Sequence, residues 1–448
     1  MALDFIPITD NDKAAMLDSL GLKSIGELFD LSIPDEVRLK RPLDLPQGVS
    51  EYELIKELQG IAADNYSLDS YISFLGGGAY DHFVPQIVDA IISLPEFYTP
   101  YTPYQPEVSQ GILQALFEYQ TMISELTGFE IANDSLYDGS TTVAEAALLA
   151  HDVTKKTEVI ISEAVHPEYR DVLKNYTRGI GITIKTVPMK NGSTDIAALE
   201  DMISDETACV IMQQPNFFGC LEDMPRVGDI TDRYPVLFIA SVDPISLGIL
   251  QPPAEYGADV AIGEGQPLGN KLNFGGPYLG IFACRKEYLR RVPGHLTSAT
   301  IDTEGRTGYV FTLQTREQHI KRERATSNIC TSEILNAIAA AVYLSYIGPA
   351  GLKEVATQCI QKAHYMYDRL RSISYLEPLF DAPFFKEFAF KSTKPVAEIN
   401  SHLIIEGIIG GLNIGRLYPE YENAILFCVT EKRTKQEIDI LIEILESI

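Results

Sequence analysis

Short apolar runs recur along the first two thirds of the chain, and helix-length stretches separate them. The runs are rich in Val and Ile and fall at residues 158–162, 182–187, 208–212, 236–240 and 258–262. Uninterrupted runs of this length predict strands of a buried parallel sheet. Before them, apolar residues at helical spacing over 112–126 predict a helix that ends at Gly128. The pattern predicts a doubly wound α/β domain over residues 66–305.

The segments on either side of this domain have different patterns. Over residues 1–65, apolar residues at helical spacing are interrupted by prolines, which predicts short helices in an N-terminal arm or docking segment. Residues 306–448 predict a helical connection followed by a small α+β domain. Its predicted helices cover 331–346, 352–372 and 395–407, its strands cover 387–390 and 424–429, and a capping box of Thr434 and Glu437 begins the last helix.

Prolines and tyrosines alternate between residues 98 and 106, where the sequence includes Tyr98, Tyr101 and Tyr104. Proline fixes φ and removes a backbone donor, so this stretch is not expected in a helix or a central strand. It predicts a rigid, extended loop that presents aromatic rings.

Composition narrows the class of protein. The chain has 448 residues and a formal net charge of −26, which argues against non-specific nucleic-acid binding and against a polybasic membrane anchor. Its six cysteines are widely spaced without a Cys-x-x-Cys pair, which predicts free thiols and neither disulfides nor a metal site. Residues 1–7 lack the features of a signal peptide, and no run approaches the roughly 20 apolar residues of a membrane helix. We therefore expect a cytoplasmic protein.

Two features could belong to a binding site in the α/β domain. A glycine and three hydroxyl residues precede an alanine-rich helix, and they are Gly139, Ser140, Thr141 and Thr142. Free N–H groups and hydroxyls at a helix N-terminus suit a phosphate, although Ser and Thr are also favoured as ordinary caps. His166 follows the strand at 158–162, at the sheet end where α/β sites form, but a lone histidine is more often a hydrogen-bonded structural residue.

Two further features carry positive charge. Lys271 lies in a glycine-rich loop between two strands, where a buried lysine could form a Schiff base, although most loop lysines are solvated. Residues 316–324 form a cationic cluster that would suit a carboxylate, a phosphate or an acidic subunit surface. The candidates in this cluster are Arg316, His319, Arg322 and Arg324. The alternative is a helix face with charges paired four residues apart, as in Glu317 and Lys321.

Several long motifs together carry a resemblance to a known family. They are Ser-Phe-Leu-Gly-Gly-Gly-Ala-Tyr-Asp-His at 73–82, the tyrosine–proline stretch at 97–110, Gly-Gln-Pro-Leu-Gly at 265–269, Phe-Gly-Gly-Pro-Tyr at 274–278, the basic stretch at 318–330 and Tyr-Pro-Glu-Tyr-Glu-Asn-Ala-Ile-Leu at 418–426. Over nearly its whole length the chain resembles the P protein (glycine decarboxylase) of the glycine cleavage system. The motifs are similar to those of the N-terminal-type, or α, subunit of the two-subunit form.

This resemblance implies a fold of the aminotransferase-like type I and a reaction that uses pyridoxal phosphate. In that reaction glycine loses carbon dioxide, and the remaining aminomethyl group passes to the lipoyl group of the H protein. The resemblance also implies a lysine-bearing partner subunit, with which the chain forms an αβ pair that dimerises again.

The resemblance further implies that this chain has lost its cofactor lysine. In the lysine-bearing subunit the Schiff-base lysine stands eight positions after an aspartate, and the same count from Asp259 reaches Pro267, which has no amine. We expect no catalytic residue and no covalent cofactor in this chain. A relict cleft remains, in which Gly139, Ser140, Thr141 and Thr142 match the phosphate loop, His166 the ring-stacking histidine and Asp243 the pyridinium-binding aspartate.

Sites of this fold type lie near a subunit interface, so this chain can still help to form the partner's site. The residues expected to wall the αβ interface and the lipoyl entrance are Tyr98, Tyr101, Tyr104, Arg316, His319, Arg322 and Arg324. Two alternatives remain open. One is a self-sufficient aminotransferase or lyase that uses Lys271, and the other is a non-catalytic scaffold that only stabilises its partner.

Overall fold

The computed structural model describes residues 7–448. Residues 1–6, on which most of the signal-peptide interpretation rests, lie outside the described residues. Contacts divide the chain into two units, Met1–Ser67 and Leu68–Ile448. The predicted division after residue 305 stays a prediction, because the contacts keep the second unit together.

The first unit is the predicted arm of short helices, α1 (Asp10–Ser19), α2 (Ile25–Ser32) and α3 (Glu51–Ala62). A hydroxyl residue caps each helix by accepting a backbone N–H, which explains where the helices begin. None of the residues in these helices is buried. The short helices are confirmed, and most of the arm's apolar side chains are exposed, with Leu17 and Leu22 half-buried.

The second unit contains all the other elements. Its helices are α4 (Gln86–Ile92), α5 (Pro95–Tyr98), α6 (Gln110–Thr127), α7 (Gly139–Thr154), α8 (Pro167–Thr177), α9 (Ile196–Met202), α10 (Met224–Thr231), α11 (Gln318–Lys321), α12 (Ile334–Leu370), α13 (Val396–Ile405) and α14 (Lys435–Ser447). Its strands are β1 (Ile72–Ser73), β2 (Ile131–Ala132), β3 (Glu158–Ser162), β4 (Thr183–Val187), β5 (Met189–Lys190), β6 (Ser193–Thr194), β7 (Thr207–Gln214), β8 (Leu237–Val242), β9 (Val260–Glu264), β10 (Gly280–Cys284), β11 (Thr297–Ile301), β12 (Thr307–Phe311), β13 (Leu376–Pro378), β14 (Glu387–Ser392), β15 (Ile408–Ile409), β16 (Leu412–Asn413) and β17 (Ala424–Cys428).

Seven strands form the main sheet, in the order β2-β10-β9-β8-β7-β3-β4. The five strands β9, β8, β7, β3 and β4 are parallel to one another, as the apolar runs predict, whereas β10 is antiparallel to both of its neighbours. Successive side chains of each strand enter two cores, one shared with α6 and α12 and the other with α7. Because both faces are covered, the central strands are mostly apolar, whereas the edge strand β4 includes Lys185 and exposes Thr183 and Thr186.

A second, antiparallel sheet has the order β13-β14-β17-β16. Its apolar residues pack with α13, α14 and the second half of α12 in a separate core. The predicted capping box is confirmed, since Thr434 accepts the backbone N–H of Glu437 and the Glu437 carboxylate accepts that of Thr434. This part of the chain is the small α+β structure expected from the sequence.

Helix α12 breaks where the sequence predicts a stop. Gly348 has φ 60° and ψ −178°, and Pro349 follows it, so two helices meet at a kink. By length and composition α12 is also the one described helix that could cross a membrane. It contributes Ala337, Ile338 and Met366 to the protein's cores, as a buried helix of a globular protein does. The cytoplasmic location stays a prediction.

The tyrosine–proline stretch is less extended than predicted. Tyr98 ends helix α5, and Pro106 begins a 3₁₀ turn that runs to Val108. Only residues 99–105 between them lack regular structure. The prediction is wrong at both ends because a helix accepts proline in its first turn, where no N–H is needed.

Candidate functional site

A small cleft lies where the main sheet meets strand β14. The carboxyl ends of parallel strands form one wall, as is usual for ligand sites in α/β proteins. The free space is about 30 Å³, room for about two water molecules and far below the several hundred Å³ of a typical small-molecule site. The lining residues used below are Tyr80, His166, Tyr169, Asp243, Glu264, Lys386 and Glu387.

The cleft contains a fully buried lysine. Lys386 is 1% exposed, and its Nζ lies 2.7 Å from Oδ2 of Asp243 and 2.9 Å from Nε2 of His82. The ammonium also lies 3.6 Å from the centre of the Tyr80 ring, a cation–π contact. Burial opposes the charged form, but the Asp243 carboxylate outweighs it and raises the pKa of Lys386. Lys386 is therefore a cation and not a free nucleophilic amine.

A hydrogen-bonded chain continues from the lysine to Glu431. Because the Lys386 ammonium donates to Nε2 of His82, the ring can donate only from Nδ1, which lies 2.6 Å from the Glu431 carboxylate. Burial opposes ionisation of Glu431, but the hydrogen bonds from His82 and from the Phe83 N–H lower its pKa. This chain of hydrogen bonds gives the lysine a second fixed contact in addition to Asp243.

His82, Cys359 and Glu431 form the one group of three potential metal ligands found among residues 7–448. All six cysteines are free thiols, as predicted. Burial raises the pKa of Cys359, so its thiol stays protonated, and Sγ lies 3.6 Å from Glu431 as a donor. A protonated thiol and the neighbouring Lys386 ammonium favour a hydrogen-bonded network over cation binding. The absence of a metal site stays a prediction.

Glu387, next to the lysine, holds the glycine motif of residues 76–78. Its carboxylate accepts the Gly77 N–H at 2.7 Å and the Tyr80 hydroxyl at 2.8 Å. A Cβ on Gly76 would lie 2.2 Å from Oε1 of Glu387, so only glycine fits there. Burial raises the pKa of Glu387 to about 7.

The predicted phosphate loop is helix α7's N-terminus, and carboxylates of the same chain use its donors. Asp138 caps the helix by accepting the Thr141 N–H at 2.7 Å and the Ser140 hydroxyl at 2.6 Å. The Gly139 N–H donates to Oε2 of Glu264 at 3.0 Å. Thr142 turns its hydroxyl to the Gly139 carbonyl. The residues thus act as an ordinary cap, with a second carboxylate above it.

His166 has the structural role that the sequence left as an alternative. Its Nδ1 accepts the Glu168 N–H at the start of α8, so Nε2 carries the proton and donates to the Gly77 carbonyl at 2.8 Å. Burial lowers its pKa, which keeps the ring neutral. The ring does stack, with its centroid 4.7 Å from that of Tyr169 and the planes 23° apart.

No lysine occupies the position where the family motif requires one. Pro267 is buried in the turn after β9. The Lys271 side chain is 59% exposed, pairs with Asp89 at 2.6 Å and does not line the cleft. The alternative that Lys271 forms a Schiff base in this cleft is therefore not supported.

Tyr104 connects the tyrosine loop to the basic segment. Its hydroxyl donates to the Cys330 carbonyl at 3.2 Å, and its ring meets the edge of His319 at 5.7 Å between centroids. Beside it, His295 is buried 3.6 Å from Asp134 and 3.5 Å from Glu317, too far for strong hydrogen bonds but close enough for charge attraction. Burial opposes the imidazolium, yet the two carboxylates outweigh it and raise the pKa of His295 to about 10.

The other aromatic and basic candidates divide into exposed and buried residues. Tyr98 and Tyr101 are 68% and 78% exposed, and Arg322 and Arg324 are also exposed. Arg316, in contrast, is buried. It donates to the carbonyl oxygens of three neighbouring loop residues, Val292, Gly294 and Leu313.

The structure therefore corrects two interpretations of the basic segment. Arg316 supports the fold from inside and is not available to a partner or ligand. The alternative of an amphipathic helix with Glu317 paired to Lys321 is also wrong, since α11 is one turn long and Glu317 contacts His295 and His319.

The glycine cleavage system P-protein family matches residues 3–445 of the chain. The chain belongs to this family. Among P-protein relatives, the probable glycine dehydrogenase (decarboxylating) subunit 1 of Carboxydothermus hydrogenoformans is 54% identical over 443 residues, 99% of each chain. The protein of the same name from Moorella thermoacetica is 48% identical and covers 100% of both chains. The family resemblance is confirmed.

Solved structures confirm the fold class. A glycine decarboxylase (P-protein) of the glycine cleavage system, in inhibitor-bound form, is 42% identical with a TM-score of 0.93, over 99% of this chain and 100% of that one. More distant neighbours share only the fold, such as a sphingosine-1-phosphate lyase of Burkholderia pseudomallei at 15% identity and a TM-score of 0.66 over 93% and 94% of the chains. The P-protein chain has the type I fold of pyridoxal-phosphate enzymes.

Pyridoxal phosphate, which this P-protein fold implies, does not fit the cleft of this chain. Covalent attachment needs an amine, and Pro267 has none. The pyridine nitrogen needs a partner such as Asp243, which Lys386 already holds. A phosphate needs the N–H groups above α7, where Gly139 donates to Glu264. Space for about two water molecules remains, so no step of the reaction is assigned to a cofactor bound here.

Sequence reasoning missed the residues that fill the cleft. Lys386 and Glu387 are a charged pair inside an otherwise aromatic run, Phe-Phe-Lys-Glu-Phe-Ala-Phe, and that conflict with a buried strand is a signal of function. Glu264 ends an apolar strand in the same way. Their long-range partners carry no sequence signal.

Proposed function

We propose that this chain is the subunit without the cofactor lysine in glycine dehydrogenase (aminomethyl-transferring, decarboxylating) of the glycine cleavage system. The full-length relatives named subunit 1 support a two-subunit enzyme. The assembled enzyme removes carbon dioxide from glycine and transfers the aminomethyl group to the lipoyl group of the H protein. The observation that carries the proposal is the cleft itself, where Pro267 and the Lys386–Asp243 ion pair stand in place of a free imine-forming amine. The covalent pyridoxal phosphate then belongs to the partner subunit.

The chain's own contribution is to complete the assembly, as an αβ pair that dimerises again. Tyr98, Tyr101, Arg322 and Arg324 expose aromatic and cationic groups that suit an interface or the entrance of the lipoyl arm. A wall of this kind would exclude water from the partner's reactive site. Tyr104 and His319 belong to the same wall, and the edge contact between their rings orients both side chains.

Two other functions compete with this proposal. A self-sufficient enzyme using Lys271 is disfavoured, because that side chain is exposed and paired with Asp89. A scaffold that only stabilises its partner has the same fold and differs only in its effect on turnover.

Co-expression with the lysine-bearing subunit tests the proposal. We expect glycine–bicarbonate exchange with lipoylated H protein only when both chains are present. A scaffold would instead leave the folded partner active alone. Exchange catalysed by this chain alone would contradict the proposal.

A further inference from the structure

Three side chains of the chain itself fill the cleft, and each matches one part of a pyridoxal phosphate. That molecule offers an anionic phosphate, a flat ring and a pyridine nitrogen to its protein. Glu264 lines the cleft with the oxygens of a carboxyl group, Tyr169 with an aromatic ring and Lys386 with a charged nitrogen. The likeness to pyridoxal phosphate rests on the proposed function. The contacts of the three side chains are independent of it.

The carboxyl group of Glu264 lies at the N-terminus of helix α7, and burial raises its pKa to about 8 against the effect of its hydrogen bonds. Oε2 of Glu264 accepts the Gly139 N–H at 3.0 Å, and Oε1 accepts those of Gln266 and Leu279 at 2.9 and 3.0 Å. Helix N-termini bind phosphates through such N–H groups and the positive end of the helix dipole. Because the Glu264 carboxyl oxygens already accept these three backbone N–H groups, none of the three is left for a phosphate.

The Tyr169 ring lies against His166, the histidine that the family motif assigns to ring stacking. Tyr169 stacks on His166 at 4.7 Å, so the rings are in direct contact and no third ring fits between them. Its hydroxyl reaches the start of α7, where a Cβ on Gly139 would lie 2.4 Å from it. The Tyr169 ring thus spans the space between His166 and the start of α7, where Glu264 lies.

The Lys386 nitrogen lies beside Asp243, the aspartate that the family motif assigns to the pyridinium. Nζ of Lys386 lies 2.7 Å from Oδ2 of Asp243, and an ammonium N–H is the same kind of charged donor as a pyridinium N–H. Lys386 directly precedes β14 in the small α+β structure, whereas Asp243 directly follows β8 in the main sheet. The ion pair therefore also ties the two sheets together.

We infer that Glu264, Tyr169 and Lys386 occupy the cofactor's place from within the chain and hold this subunit in a closed, cofactor-free form. The cleft is then a completed internal contact and not a site waiting for a ligand. Without any cofactor, this contact holds the main sheet and the small α+β structure together.

A double-mutant cycle on the full chain tests the ion pair. Lys386→Met leaves the largely buried Asp243 carboxylate without its cationic partner and should lower the midpoint of thermal unfolding by roughly 4–6 °C. Adding Asp243→Asn should restore more than half of that loss. The control Lys174→Met removes an exposed ion pair with Asp171 and should change little. A loss no larger than the control's, or losses that simply add in the double variant, would overturn the inference.

Removal of the three side chains tests their role as a plug. We expect about 1 mM pyridoxal phosphate to leave the unfolding midpoint of the wild type unchanged, and to raise that of Glu264→Ala/Tyr169→Ala/Lys386→Ala by at least about 2 °C. Inorganic phosphate serves as the comparison ligand. An equal rise in the wild type, or no rise in the folded triple variant, would overturn the inference. If the triple variant does not fold, the cycle on Lys386 and Asp243 decides.

These measurements need neither the partner nor turnover. Loss of glycine exchange in the assembled enzyme with an intact coupling between Lys386 and Asp243 would reject the proposed function alone. The reverse result would reject the internal plug and leave the proposed function in place.

Discussion

Burying a lysine and an aspartate removes both from water, at several kcal/mol for each ion, unless the pair is close and fully hydrogen-bonded. Lys386 meets that requirement through Asp243, His82 and the face of the Tyr80 ring. Breaking one partner of such a pair destabilises a protein more than the pair itself stabilises it. Replacing either residue alone is therefore expected to destabilise the fold, even where no chemistry takes place.

His295 makes a prediction about pH. Its folded pKa of about 10 exceeds the value of about 6.5 for an unfolded chain, so the stabilisation is complete below pH 6.5 and is lost as the pH rises through 10. We expect wild type and His295→Gln to differ by a few kcal/mol in unfolding free energy at pH 6, and by much less at pH 10.5. Denaturant unfolding at a series of pH values measures this difference. The exposed His402→Gln serves as the control and should show no such trend.

At the scale of elements, the strands and helices of the main sheet follow from the sequence because each apolar run is local. The apolar runs form β3, β4, β7, β8 and β9, and each depends only on neighbouring residues. The same holds for Gly128 at the end of α6 and for the Thr434 cap of α14. The reversed direction of β10 and the pairing of Lys386 with Asp243 depend on residues far apart in the chain. Motif similarity located His166 and Asp243 in one cleft, but no local pattern reveals what fills it.

The kink in α12 makes a second prediction. Gly348 has φ 60° and ψ −178°, a conformation that side chains other than glycine's strongly disfavour, and no atom lies within 4 Å of a Cβ built there. Gly348→Ala should therefore lower the unfolding free energy by about 1–3 kcal/mol through backbone strain alone. Gly179→Ala, equally free of contacts but without a positive φ, is the matched control. Equal stability of the two variants in denaturant unfolding would show that the kink is not strained.

The arm makes a third prediction. Helix α3 exposes Leu54, Ile55 and Leu58, and none of its residues is buried within the chain. If the lysine-bearing subunit covers this face, Ile55→Asp/Leu58→Asp should weaken assembly at least about tenfold. The reason is that two carboxylates would be buried in the interface in place of two apolar side chains.

Titration of the two subunits by light scattering measures that assembly constant. Substituting charged residues of the same helix, as Lys56→Ala/Glu57→Ala, gives the control. An assembly constant that is the same for both double variants would show that the arm does not contact the partner.

At the scale of the whole molecule, the chain combines a type I fold with a cleft that its own side chains fill. We therefore propose that the exposed aromatic and basic residues, and not the cleft, carry the chain's contribution to function. We expect Tyr101→Phe/Arg324→Ala to change kcat of the assembled enzyme, or its KM for the H protein, by roughly threefold or more, with assembly intact.

The buried Arg316 is not a suitable test of that surface, because its loss would act through folding. Lys353→Ala, on an exposed turn of α12, is the control for a surface cation. Unchanged kcat and KM in steady-state assays of Tyr101→Phe/Arg324→Ala would favour the scaffold alternative.

The most direct measurement maps the cofactor in the assembled enzyme. Borohydride reduction fixes any imine to its lysine, and peptide mass spectrometry then identifies the chain. We expect one pyridoxyl group for each pair of subunits, on the partner alone. A pyridoxyl group on Lys386, Lys271 or any other lysine of this chain would contradict the account.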